Sequence, residues 1–260
     1  MPILAREIMT SRVLTLEDNA KVIDAIRLMV NHDFRHVPIT RSNSIIGMVT
    51  ALSTIKGIDK EGQQVLSGSV GGIMVGTGYV KALSNDYVGE VVRRMIDSNA
   101  DAALVFDGDK VVGIITERDI VRKLPSQLFK QRRVFDIMSK NPKTLGPEST
   151  ISDAIKSMAT HEIRHLVITR GNRVMGILSI RDILRYTLKQ LEAGRNIDQS
   201  YPITSLMSHN PVTIDPSASV IDAIDLMRRN NVSSLPVVER GVLMGIITEK
   251  DLIREIKPYP

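Results

Sequence analysis

The sequence predicts an α/β (α+β) chain of four β-α-β-β-α repeats grouped as two pairs, and three observations carry the prediction. A helical stretch ends at Met29, Met95, Met158 and Met227, and 18 residues after each stands Gly47, Gly113, Gly176 or Gly245, with no insertion between. The repeat-to-repeat spacings of 66, 63 and 69 confine length variation to connections, where loops tolerate it. Residues 8–55 and 137–184 are identical at 16 of 48 positions, Arg35-His36 against Arg164-His165 included, so the chain reads as two copies of a pair. The repeats are placed at 1–57 and 73–124, forming the first pair, and at 134–188 and 203–258, forming the second.

The fourth repeat shows the elements in order. Thr213-Ile214 opens as a short strand, and Val220, Ala223, Ile224 and Met227 then recur at helical spacing, with Asp222, Asp225 and Arg228 on the other face. Leu235-Pro-Val-Val, the turn Glu239-Arg-Gly241 and Val242 to Thr248 read as strand, tight turn and strand, and a last helix begins at Thr248. A unit of this size buries too little surface to be comfortable alone, so pairing is the remedy. A cut near 126–130 is expected to leave two halves, each with a core and an exposed apolar face.

With 260 residues, 43% hydrophobic and 24% charged, the chain has the composition of a globular protein, and no apolar run reaches the roughly 18 residues of a membrane helix. The first residues lack a secretory signal, so a cytoplasmic location without membrane association is expected. Zero Cys excludes disulfides, thiolate zinc sites and cysteine nucleophiles. The net charge of +5 comes from scattered basic residues and fits anionic partners without requiring nucleic acid, while 3% aromatics leave few stacking platforms.

Gly-Ile-Ile-Thr-Glu-Arg-Asp at 113–119, Gly-Ile-Leu-Ser-Ile-Arg-Asp at 176–182 and Gly-Ile-Ile-Thr-Glu-Lys-Asp at 245–251 resemble the terminal motif of cystathionine β-synthase (CBS) domains. Ile-Met-Ser-x-Asn-Pro-x-Thr at 137–144 and Leu-Met-Ser-His-Asn-Pro-Val-Thr at 206–213 are similar to that family's opening signature. The resemblance covers essentially the whole chain. It implies two CBS pairs (Bateman modules) in a pseudo-symmetric disk, similar to the nucleotide-sensing γ subunit of AMP-activated protein kinase, with ligand clefts between the members of each pair.

A Ser or Thr followed three residues later by an acid is also the pattern of a helix capping box, which accounts for any one copy. A functional carboxylate there would accept both ribose hydroxyls, with a helix N-terminus favouring phosphate. The candidates are Thr116, Arg118 and Asp119; Ser179, Arg181 and Asp182; and Thr248, Lys250 and Asp251. The first repeat has Thr50-Ala-Leu-Ser53 there, without acid or cation, and is expected to be dead. Carried over from the family, Asp119 would face Thr15 and Ala20, with Arg35 and His36 toward phosphate. Asp251 would face Thr144 and Ile163, with Arg164 and His165 in the phosphate role. Asp182 would face Thr213, Ala218 and Val232, where Ser233 and Ser234 replace Arg-His. Asp101 would burden the dead position. Asp119 and Asp251 are therefore expected to bind tightest.

His161-Glu-Ile-Arg-His165 spells HExxH, but a zinc site needs both histidines on one helix face. The repeat alignment puts His161 at a helix end and His165 at a strand start, so no metal is expected. The glycines at 68, 71, 72, 76 and 78 lack the Gly-Lys-Ser/Thr of a phosphate loop and read as linker. No catalytic constellation emerges. The expected function is a non-catalytic regulator binding AMP, ADP or ATP in its clefts, with no catalytic cofactor, signalling to an unidentified protein, its disks able to self-associate. The alternative is a nucleic-acid-associated regulator modulated by an adenosyl ligand.

Overall fold

The amphipathic spacing read from the fourth repeat recurs in every long helix. In Val22–His32, residues Val22, Ala25, Ile26 and Met29 are all buried, at the i, i+3, i+4, i+7 spacing that places them on one face. The structure, a computed structural model, describes residues 2–76 and 79–257. Gly78 of the glycine stretch and Pro258, the last residue of the fourth repeat, lie outside the described residues.

The first repeat follows a short helix α1 (Ala5–Ile8) and contains β1 (Leu16–Glu17), α2 (Val22–His32), β2 (His36–Arg41), β3 (Ser44–Thr50) and α3 (Ala51–Glu61). The second contains β4 (Val80–Leu83), α4 (Val88–Asp97), β5 (Ala102–Asp107), β6 (Lys110–Thr116) and α5 (Glu117–Lys123). The third follows α6 (Val134–Ile137) and contains β7 (Thr144–Leu145), α7 (Ile151–His161), β8 (His165–Arg170), β9 (Arg173–Ser179) and α8 (Ile180–Glu192). After β10 (Ser208–His209), the fourth has α9 (Val220–Asn230), β11 (Ser234–Glu239), β12 (Val242–Thr248) and α10 (Glu249–Ile253). Its opening strand at Thr213-Ile214 is reduced to a single parallel bridge from Ile214 to Val237, which leaves a two-stranded sheet.

Each antiparallel pair is closed by two residues. Ser42-Asn43 and Arg240-Gly241 both have positive φ at both positions, as a primed turn between twisted strands demands. Each pair also carries a register shift beside the repeat glycine, between Ile39 and Thr40, Val105 and Phe106, Ile168 and Thr169, and Val237 and Val238. The bulge is thus a repeat feature, not a local defect.

The chain divides into two compact units that do not follow its halves. One comprises Met1–Val13, Thr77–Pro142 and Val212–Pro260, and so holds the second and fourth repeats. The other comprises Leu14–Gly76 and Lys143–Pro211, the first and third. Each unit has its own buried cluster, one built on Ile26, Ile55, Ile155 and Leu166, the other on Val91, Ile115, Ile224 and Ile247. Both clusters draw on both halves of the sequence. A cut at 126–130 therefore divides two cores instead of separating them, which corrects the expectation of one core per half.

The opening segments of the repeats are grouped apart from the repeats they open. Thr10 pairs with Ile114, Val75 with Met48, Ser139 with Ile246, and β10 with β9. In each case the opening segment of one repeat pairs with the last strand of its neighbour in sequence, first with second and third with fourth, and is grouped in the unit of the strand it joins. A methionine in each segment lies over the repeat glycine. An added Cβ would come within 3.0 Å of Met74 Sδ at Gly47, 2.3 Å of Met9 at Gly113, 2.5 Å of Met207 at Gly176 and 2.7 Å of Met138 at Gly245. Close approach, not backbone conformation, is what requires glycine here.

Candidate functional site

The Thr/Ser-x-x-Asp starts are true capping boxes. Asp119 Oδ2 accepts from Thr116 N (2.9 Å) and Oγ1 (2.6 Å), Asp182 Oδ2 from Ser179 N (2.8 Å) and Oγ (2.6 Å), and Asp251 Oδ2 from Thr248 N (2.8 Å) and Oγ1 (2.7 Å). The same box forms between Thr150 and Asp153 and between Ser219 and Asp222, on exposed helix starts that the sequence gives no binding role. In the first repeat Thr50 and Ser53 exchange two 3.0 Å bonds, so the cap survives without the acid. Capping is thus shared by all these helix starts, which differ in what becomes of the other carboxylate oxygen.

There the three carboxylates differ. Asp119 Oδ1 accepts from Thr10 Oγ1 at 3.0 Å and lies 2.8 Å from Lys123 Nζ. Asp182 Oδ1 accepts from Arg185 at 3.3 Å. Asp251 Oδ1 accepts no hydrogen bond among the described residues. Burial pushes the Asp251 carboxyl up, against the lowering effect of its two bonds from Thr248 and of the Arg254 and Lys250 charges. At exposed Asp153 the same two bonds, from Thr150, hold the carboxyl below the usual range, because little desolvation opposes them.

The cations beside these acids are spoken for within each unit. Arg118 Nε lies 3.8 Å from Glu249 Oε1, Arg181 pairs with Asp33, and Lys250 Nζ lies 3.3 Å from Asp101 Oδ1. Every one of these ion pairs joins two repeats of one unit, a use the sequence reading did not anticipate. Asp101, expected as a phosphate-repelling charge, is thereby partly neutralised.

Arg35, His36, Arg164 and His165 all fall in the unit of the first and third repeats, together with Thr15, Ala20, Thr144, Ile163, Ser179, Arg181 and Asp182. Thr116, Arg118, Asp119, Thr213, Ala218, Val232, Thr248, Lys250 and Asp251 fall in the other. Within a repeat the strand register brings His36 opposite Thr50 and His165 opposite Ser179, and the carbonyls of Arg35 and Arg164 accept the first helical N–H of α3 and α8, both at 2.9 Å. Arg35 and His36 are buried, Arg164 and His165 half-buried. The sequence-predicted basic pairs and capping residues are therefore neighbours in their own repeats. Thr15, Thr144 and Thr213 are exposed.

The HExxH run is not one helix. His161 ends α7 with its Nδ1 2.9 Å from Ser157 O, Glu162 takes the left-handed conformation (φ 54°), and His165 opens β8. No group of three or more His, Asp or Glu side chains suited to a metal occurs among the described residues. Likewise, no described helix is long and apolar enough to cross a membrane.

Sequence reasoning missed Thr10 and Lys123. Lys123 was legible as an i+4 partner of Asp119, whereas Thr10, 109 residues away, left no local signal.

The family profile for the CBS domain matches residues 5–58, 70–126, 134–189 and 203–258. The chain belongs to the CBS-domain family. Among curated CBS relatives, it is 24% identical over 258 residues to an uncharacterised 33.4 kDa protein in a ribosomal RNA operon of Thermofilum pendens, covering 92% of this chain and 86% of that one. It is 28% identical over 272 residues to protein MJ1404 of Methanocaldococcus jannaschii, covering 96% of this chain but 61% of that longer one. Among solved structures, protein MJ1225 of Methanocaldococcus jannaschii, proposed as an archaeal homologue of g-AMPK, superposes with a TM-score of 0.82 at 18% identity, over 97% of this chain and 99% of that one. That likeness shows a shared four-repeat CBS fold. CBS-pair proteins are typically regulatory.

Proposed function

We propose that this chain is a regulatory sensor that binds adenosine nucleotides of the AMP, ADP and ATP class and signals their presence to a protein partner in the cytoplasm, without catalysing a reaction. The observation that carries the reading is Asp251: a half-buried carboxylate whose Oδ2 is held by Thr248 and whose Oδ1 is uncommitted. Partial burial disfavours the ionised form, at a cost in free energy, while Oδ1 keeps acceptor capacity. Two vicinal ribose hydroxyls are the donors that would offset that cost. In this reading Asp182 and Asp119 take the same role in their repeats, and Arg35, His36, Arg164 and His165 meet phosphate. The family resemblance supports the choice of adenosine.

Native mass spectrometry of the purified chain tests the reading. A co-purifying mass equal to an adenosine nucleotide, lost on Asp251→Ala, is the expected result. A chain that carries no such mass and takes up none from added AMP, ADP or ATP would overturn it.

A further inference from the structure

Asp119 is a filled carboxylate. An ionised carboxylate offers about four acceptor positions, and here four donors occupy them: Thr116 N and Oγ1 on Oδ2, Thr10 Oγ1 and Lys123 Nζ on Oδ1. The same Lys123 ammonium donates to the Ile8 carbonyl at 2.7 Å. The segment from Leu4 to Thr10 is thus fastened to Asp119 twice, in addition to the Thr10–Ile114 backbone pairing. Lysine is peculiar to this repeat: the residue four after the position of Asp119 is Gly57, Tyr186 or Glu255 in the others. Asp251 has two donors from Thr248, and Asp182 has three.

We propose that Lys123 and Thr10 form a latch on Asp119, so that a ligand diol can take this carboxylate only by displacing them, which releases the Leu4–Thr10 segment. The inference rests on the nucleotide reading above and adds two consequences. Binding follows the order of spare acceptor capacity, Asp251 before Asp182 before Asp119. The last site to fill is the one whose filling changes the fold, since it frees the segment carrying Met9 from its seat over Gly113. Occupancy at high ligand concentration thereby becomes a structural signal.

The test uses the whole chain, with AMP as probe. Asp182→Asn with Asp251→Asn keeps both caps and isolates Asp119. In that background Lys123→Met and Thr10→Val should each tighten AMP binding about tenfold, because each removes one competing bond to a charged group. Hydrogen exchange of the amides in Leu4–Thr10 should quicken with saturating AMP in the wild type, and in Lys123→Met without any ligand. AMP affinity unchanged by both substitutions, or exchange in this segment unmoved by Lys123→Met, overturns the latch alone if the wild type still binds AMP through Asp251. Absence of AMP binding in the wild type and every variant overturns the nucleotide reading, and the coupling with it.

Discussion

Ser139 and Ile246 exchange two backbone hydrogen bonds, 2.9 and 3.0 Å long, although Ser139 stands in the opening segment of the third repeat and Ile246 in the last strand of the fourth. The exchange places Met138 and the Ser139 carbonyl over Gly245; a methionine lies over every other repeat glycine, joined at Gly47 and Gly176 by a backbone carbonyl.

Gly245→Ala should therefore lower stability by about 1–3 kcal/mol, the usual cost of forcing extra volume into a packed contact. A Cβ there would lie 2.7 Å from the Ser139 carbonyl, which cannot move without breaking the exchange. At Gly113 the nearest atoms to an added Cβ all belong to the flexible Met9 side chain, so Gly113→Ala should cost less. Urea unfolding of the two variants checks the ranking; equal losses would show that the backbone contact is not what matters.

Asp251 should act against stability at neutral pH. Its folded-state carboxyl is raised by burial, so the penalty is full above that raised value. It fades as pH falls through it and is gone below the ordinary carboxylate range. Asp251→Asn, which retains an acceptor for the Thr248 cap, should raise the melting temperature at pH 7, with a gain that shrinks on acidification. A gain independent of pH would contradict the burial account. Asp153 has the opposite sign: its lowered carboxyl stabilises above the ordinary range and loses that contribution as pH falls through the folded value. Asp153→Ala should cost about 1 kcal/mol at pH 7 as a lost cap.

Fragments 1–128 and 129–260 should each be aggregation-prone alone and should assemble when co-expressed, because both buried clusters take residues from both halves. Size-exclusion chromatography of the mixture reads the outcome. Two stable fragments that ignore one another would contradict the cores described above.

The repeat, the order of elements and the helix-to-strand break at Glu162 were legible because periodicity and turn chemistry are local. The left-handed cap at Glu162 follows from a position that holds Asp33, Asn99 and Asn231 in the other repeats, all with positive φ. The exchange of opening segments was not legible, since Ile137-Met138-Ser139 carries a motif but nothing that says which strand it joins. Nor were the ion pairs Arg118–Glu249 and Lys250–Asp101, each spanning more than one hundred residues. The capping boxes read from the sequence at Asp119, Asp182 and Asp251 all form. The partners of the second oxygen separate Asp119 from Asp251, and of these Lys123 is local to the helix whereas Thr10 is brought in by tertiary packing.

The central claim is that Asp251 accepts a nucleotide's hydroxyls and that the cap alone does not. Calorimetric titration of AMP into the wild type, Asp251→Ala and Asp153→Ala tests it most directly, because the two variants lose the same capping box at different places. The account predicts that Asp251→Ala weakens AMP binding by roughly 30-fold to 1000-fold, the loss of about 2–4 kcal/mol from two charge-assisted bonds, while Asp153→Ala binds as the wild type does. Undiminished binding in Asp251→Ala, or an equal loss in both variants, would contradict it.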